Sequence, residues 1–145
     1  MRHAKSSWKN NSLSDHDRPL NSRGSKDAPK IFQKLINENW IPDLILLSSS
    51  KRTQETLSNM NFNAKETKIE IMPELYLAGI DQLLISLQSI LENKTTMLLG
   101  HNPGCELLIG HLTGGWHEMS TASAALMINN NGRWVLQKIL RPKEL

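Results

Sequence analysis

A chain of 145 residues with a 39% hydrophobic fraction is long enough for one packed core and too short for two ordinary domains. Its single cysteine, Cys105, rules out an intramolecular disulfide framework and fits a reducing compartment. Seventeen Lys and Arg against fourteen Asp and Glu leave a net +3 without any block of like charges, which argues against a nucleic-acid arm or a membrane-binding polybasic patch. Apolar runs such as residues 44–47 fall far short of the ~18 residues of a membrane span, and the N-terminus carries no signal-like stretch. The expectation is a single cytoplasmic domain over residues 1–145, with no nucleic-acid and no membrane partner.

The first twenty residues are polar and irregular, with turn markers at Asn10, Asn11, Ser12, Asp15, Asp17 and Pro19. A helical pattern starts at Asn21, with Ile31, Leu35 and Ile36 on one face; Pro29 predicts either a kink in its first turns or a regular helix that begins near Pro29. Pro42-Asp43 breaks the chain before residues 44–47, a continuous apolar run suited to a strand covered on both faces. Ser48 to Ser50 can cap a helix over residues 51–60, and residues 69–72 form a short strand that ends at Pro73. The spacing of Ile80, Leu83, Leu84, Leu87, Ile90 and Leu91 predicts a helix over residues 80–92. A strand follows over 95–99, Asn102-Pro103 opens a helix bearing Leu107, Leu108, Ile109 and Leu112, and two strands over 122–128 and 134–139 flank an Asn-Gly hairpin turn.

Strands alternating with helices predict a layered α/β domain with a mainly parallel sheet and an antiparallel hairpin at one side. Ligands in such sheets bind beyond the carboxyl ends of the strands. There the sequence places Ser48-Ser49-Ser50-Lys51-Arg52, then Glu74, then Gly100-His101-Asn102-Pro103-Gly104. Ionisable groups distant in the chain thus share one rim.

The segments Met1-Arg2-His3-Ala4-Lys5-Ser6-Ser7-Trp8, Asp17-Arg18-Pro19-Leu20-Asn21, Ser48-x3-Arg52 and Gly100-His101-Asn102-Pro103-Gly104 together resemble the histidine phosphatase superfamily, and within it the small bacterial phosphohistidine phosphatases. The resemblance covers the whole chain and implies a three-layer phosphoglycerate-mutase-like fold. It implies a catalytic set of His3, Arg2, Arg52 and His101, with His3 as a nucleophile that takes the phosphoryl group covalently and water completing the hydrolysis. Arg2, Arg52, His101 and Asn102 would bind the substrate, His101 most strongly when protonated; no metal and no cofactor are required. Glu74 is the candidate general acid, and a residue placed for a helix start is its alternative role. A protonated imidazole leaves phosphorus readily, so a phosphohistidine substrate scarcely needs such an acid.

Short gaps between the elements leave no long lid, so the resemblance points to an open pocket and a phosphohistidine-bearing protein, with a small phosphorylated metabolite or a non-catalytic phosphate-binding module as the alternatives. Lys5, Trp8, Lys9 and Arg18 lie in the first loop, either edging the cleft or forming a solvated basic loop. His16, His111 and His117 fall outside the motifs, and with His101 and Cys105 they match no zinc spacing. Cys105 reads as a small buried apolar residue rather than a nucleophile. Arg23 and the segment Thr121-Ala122-Ser123 are secondary candidates for shaping the site, and no Gly-x4-Gly-Lys-Ser/Thr phosphate loop occurs.

One departure matters for stability. Members of this family carry a strand of apolar residues before the Arg-His pair, which here stands at positions 2 and 3. Either translation starts further upstream or the sheet is short by one strand. The second case predicts a His3 on a frayed terminus and a less stable, less active protein than one with an added strand.

Overall fold

The computed structural model describes residues 1–62 and 66–145. Its centre is a parallel sheet in the order β2 (Lys68–Met72), β1 (Leu44–Ser48), β3 (Thr96–Leu99), with Ile45 in register between Ile69 and Met97. Every residue of β1 is buried, which is why its sequence is continuous rather than alternating. Ile45 and Leu47 face one layer, packing with Ala28, Ile31 and Leu35 of α1 (Ser22–Asn37) and Leu57 of α2 (Lys51–Asn59). Leu44 and Leu46 face the other, with Leu83 of α3 (Ile80–Ser86) and Leu108 of α4 (Gly104–Thr113). These three layers are those of the phosphoglycerate-mutase-like fold.

The element boundaries follow local chemistry. Asn21 caps α1 by accepting from the Gly24 N–H at 2.9 Å, and Ser50 caps α2 by accepting from Thr53. A side chain at Gly24 would strike the Lys5 carbonyl oxygen at 2.2 Å, so glycine lets the first loop lie directly on α1. Pro29 neither delays nor divides the helix, which runs continuously from Ser22 to Asn37. The amide it lacks would have bonded the carbonyl of Ser25, an exposed residue whose oxygen water can satisfy.

The helix expected over 80–92 is shorter than its apolar spacing suggested. It ends at Ser86 and tightens into a 3-10 turn over Leu87–Ser89. The Ser86 hydroxyl bonds back to the Gln82 carbonyl, and the chain must reverse at Asn93, φ 57°, to enter β3. The closing hairpin forms as expected from β4 (Ala124–Asn130) and β5 (Arg133–Leu140), joined through Asn131 and Gly132, both at positive φ.

Met1 to Ala4 does not fray. Arg2 forms a parallel bridge with Gly100, the His3 amide donates to Gly100 O at 3.0 Å, and the His3 carbonyl accepts from Ala122 at 2.9 Å. The stub is thereby inserted between the end of β3 and the residues that lead into β4, and Ala4 is fully buried. Ala122 holds φ 64°, a left-handed backbone that this clamp imposes, so β4 starts two residues later than the strand expected from the sequence. Next to Met1 an apolar cavity of about 140 Å³ continues along β3 and β4, lined by Leu98, Leu108, Ile109, Ala125, Met127 and Trp134 among others. The Met1 ammonium donates to Leu98 O at 2.7 Å, and burial pushes its pKa down.

Candidate active site

The four chemistry-bearing side chains expected from the sequence meet at the carboxyl rim of the sheet. Arg2, His3, Arg52, His101 and Asn102 line one cavity of about 260 Å³, together with Lys5, Ser6, Trp8, Asp15, Arg18, Leu77 and Thr121. The stub carries Arg2 and His3, the first turn of α2 carries Arg52 just beyond β1, and Gly100 links β3 to His101. The larger polarity of this cavity sets it apart from the one beside Met1, whose walls are mainly apolar side chains.

Each of these side chains is tethered at one end. His3, 7% exposed, holds Nδ1 at 2.7 Å from the Ala4 carbonyl oxygen, which accepts only from an N–H. That bond fixes the tautomer and leaves Nε2 with its lone pair. Burial, together with the neighbouring Arg52 and Arg2 guanidiniums, pushes the His3 pKa down to about 4 against the opposing pull of the Ala4 carbonyl, so the ring is neutral across the ordinary pH range. Arg2 donates through Nη1 to Met119 O at 2.8 Å. Arg52, 2% exposed, donates to the backbone oxygen of Asp15 at 2.6 Å and to its carboxylate at 3.0 Å.

The His101 ring centroid lies 5.2 Å from that of His3, and its Nε2 is 2.7 Å from the Ser48 hydroxyl. Burial, with His3 and Arg52 alongside, lowers its pKa to about 3. His101, which would bind an anion most strongly when protonated, is thus held in its neutral form, and a neutral ring still carries one N–H to offer an anion. Asn102 spends its amide nitrogen on Glu106 and Met119 O, both at 3.0 Å. Buried polar atoms without a protein partner include Arg2 Nε, Arg52 Nε, His101 Nδ1 and Asn102 Oδ1. An anion seated among them would give the three nitrogens the acceptor each lacks.

Three participants have roles that were not legible in the sequence. Asp15, read there only as a turn residue, accepts from Arg52, from Arg18 Nε at 3.1 Å and from the Tyr76 hydroxyl. The Tyr76 hydrogen bond, then those of Arg52 and Arg18, hold its carboxyl down at about 2. Tyr76 packs edge-on against both His16 and His101, a placement that only the turn over Pro73–Leu75 produces. Within the segment Ser48 to Ser50 it is Ser50 that caps the helix, while Ser48, the first residue of the Ser48-x3-Arg52 motif, pairs with His101.

Of the first-loop residues, Lys5, Trp8 and Arg18 line the cavity and Lys9 does not; Arg18 is buried, with its guanidinium carbon 3.5 Å from the centre of the Trp8 ring. Thr121 is in the wall and accepts from Arg23 at 3.1 Å. Glu74 is exposed in its turn and outside the cavity lining. Cys105 is a buried free thiol, and burial raises its pKa, as suits a packing residue.

The geometry has counterparts among known proteins. The family model described as the histidine phosphatase superfamily, branch 1, matches residues 1–76. A chloroplastic protein of Arabidopsis thaliana is 35% identical over 165 residues, spanning 98% of this chain and 76% of that one. The crystal structure of an Agrobacterium tumefaciens protein described as a phosphohistidine phosphatase, SixA, superposes with a TM-score of 0.87 at 28% identity, over 98% of this chain and 95% of its own. A protein histidine phosphatase SixA complexed with tungstate shares the fold at a TM-score of 0.86 and 21% identity, over 99% and 96% of the two chains. No helix among the described residues is long and apolar enough to cross a membrane. With a family model over more than half of its length and a relative 35% identical across nearly all of it, this chain belongs to the histidine phosphatase superfamily.

Proposed function

We propose that the protein is a cytoplasmic, metal-independent phosphohistidine phosphatase that acts on a phosphorylated protein through a phosphoryl group carried on His3. The observation that supports it is the pairing of a free nucleophile with unpaired donors: His3 Nε2 is left free by the bond from Nδ1–H to Ala4 O, beside Arg2 Nε, Arg52 Nε and His101 Nδ1. In the first step the Nε2 lone pair attacks phosphorus in line, the bond from phosphorus to the substrate's imidazole nitrogen breaks, and the substrate ring, protonated on its other nitrogen, leaves as neutral imidazole. The phosphorylated His3 ring then carries positive charge, and the Ala4 carbonyl, 2.7 Å from Nδ1, stabilises it. Water attacks phosphorus in the second step, the bond to Nε2 breaks, and neutral His3 returns. Arg2, Arg52 and His101 meet the charge on the equatorial oxygens in both steps.

An imidazole leaving group needs little acid, which agrees with the position of Glu74 outside the cavity. Protein rather than metabolite is favoured by the open rim: Trp8 is 68% exposed there and Lys5 stands beside it. The Agrobacterium protein described as a phosphohistidine phosphatase, 28% identical across nearly the whole chain, supports phosphohistidine as the group attacked.

The test is turnover of a radiolabelled phosphohistidine protein against sugar phosphates and an aryl phosphate, with His3→Ala as control. Acid-labile label on the wild type, absent from His3→Ala, is the expected result. Faster turnover of the sugar phosphates would replace the protein substrate by a metabolite, and tight phosphate binding without label transfer would leave only a binding module.

A further inference from the structure

We propose that Ser48 is a positioning residue that donates its hydroxyl proton to His101 Nε2 and thereby fixes His101 as the Nδ1–H tautomer, an uncharged donor set permanently toward the phosphoryl group. The inference rests on the reading of this cavity as a phosphoryl site, and it concerns which atom of His101 carries the proton.

Ser48 ends β1, is fully buried, and its Oγ lies 2.7 Å from His101 Nε2. Two arrangements satisfy that distance. In one, Nε2–H donates to the hydroxyl; the serine proton then needs another acceptor, and His101 is the hydroxyl's one hydrogen-bond partner among the described residues. The same arrangement turns the Nδ1 lone pair toward any anion held by Arg2 and Arg52. In the other, the serine O–H donates to Nε2, every hydrogen in the pair is used, and the proton rests on Nδ1. Nδ1 is buried without a protein partner, which is the condition of a donor kept for a ligand.

The neighbours hold the arrangement in place. The Ser48 carbonyl accepts from the Thr53 hydroxyl at 2.7 Å, which ties the end of β1 to α2, and the Tyr76 ring packs edge-on against His101 with centroids 5.5 Å apart. The ring is thus restrained from turning over and exchanging its nitrogens. His3 uses the opposite device: a carbonyl holds its N–H, so its free nitrogen is a lone pair, whereas a hydroxyl fills the His101 lone pair, so its free nitrogen is a donor. Nucleophile and donor are two histidines made complementary by one neighbouring oxygen each.

Ring-nitrogen NMR of wild-type protein labelled at histidine, near neutral pH, reads the tautomer without reference to activity. The expected result is an acceptor-type Nε2 and a protonated Nδ1 on His101; an N–H at Nε2 overturns the proposal, whether or not the protein turns over phosphohistidine. In Ser48→Ala the proton is expected to populate Nε2, with inorganic phosphate binding weakened about 10- to 100-fold and kcat on phosphohistidine protein lowered by a similar factor. Ser48→Thr, which keeps the hydroxyl, is expected to restore both the tautomer and phosphate binding. Unchanged phosphate affinity in a folded Ser48→Ala protein overturns the proposal and leaves the wild-type activity, and hence the phosphatase reading, standing. A wild type with the expected tautomer but no turnover has the opposite meaning: the proton assignment holds and the enzymatic reading fails.

Discussion

Acid should unfold this protein through its two buried imidazoles. A base whose folded pKa lies below its unfolded value leaves the unfolded chain holding more protons between the two. Stability is therefore intact above about pH 6.5, falls as the pH drops below it, and stops falling below the folded value. For His3 the lowering to about 4 corresponds to about 3 kcal/mol at roughly 1.36 kcal/mol per unit, and His101, lowered to about 3, reaches further. Between pH 7.5 and 4.5 each contributes a loss of roughly 2–3 kcal/mol, so the pair removes about 5 kcal/mol, comparable with the whole stability of a small domain. The assay is urea denaturation at pH 7.5, 6.0, 5.0 and 4.5 on the wild type and on a His3→Gln, His101→Gln double variant. All other titrating groups are common to both proteins, so the difference between the two curves isolates the pair. The wild type is expected to lose about 5 kcal/mol more than the double variant over this interval. Parallel curves would refute the reasoning, since they would mean that the two rings accept protons in the fold as readily as in the open chain. Inorganic phosphate should oppose the acid loss, because a bound anion favours protonated imidazole.

Arg52→Ala removes a buried guanidinium and leaves the Asp15 carboxylate with Arg18 and Tyr76 alone; kcat is expected to fall about 10²- to 10³-fold, measured on phosphohistidine protein. Glu74→Gln, at an exposed position outside the cavity, is expected to change kcat less than about twofold over pH 6 to 8, and a loss of tenfold or more would restore the carboxylate as the acid. Trp8→Ala should raise KM for a phosphorylated protein several-fold while leaving that for an aryl phosphate nearly unchanged, because Trp8 stands exposed at the rim.

Sequence patterning located most of the fold because most of its elements bury one face or two. The run at residues 44–47 is apolar throughout, and β1 is buried throughout. The same logic failed over 80–92, where apolar spacing persists past Ser86 although the chain there has left the α-helix; of the two readings of Pro29, a regular helix beginning there is excluded because α1 already starts at Ser22. In the site, Arg52 and His101 were legible because they follow strand ends, and Arg2 and His3 because their Arg-His pair resembles that of the histidine phosphatase superfamily. Asp15, Ser48 and Tyr76 were not, because their roles are fixed by what lies opposite them: an arginine 37 positions away, a histidine 53 positions away and a carboxylate 61 positions away. Short polar side chains in loops look alike until the fold chooses their partners. The insertion of Met1 to Ala4 also escaped the sequence, since Gly100 and Ala122 make its backbone bonds and neither advertises them.

The tethers explain why buried donors survive without partners. An unpaired buried polar atom costs about 1–3 kcal/mol, and an unrestrained side chain would rotate to satisfy it. Arg2 cannot do so without breaking its bond to Met119 O, Arg52 without releasing Asp15, His101 without losing Ser48, and His3 without abandoning Ala4 O. In each case the intramolecular bond that would be lost is worth as much as the one to be gained, so the open donors persist as a property of the fold. Reorganisation that a phosphoryl group would otherwise have to drive has then already occurred during folding, and the interaction energy remains for the transition state, where charge on the equatorial oxygens is greatest. The same reasoning accounts for the anchoring of the first residues: a nucleophile held by Gly100 on one side and Ala122 on the other stays at a fixed distance from Arg52 and His101, which belong to two other segments of the chain.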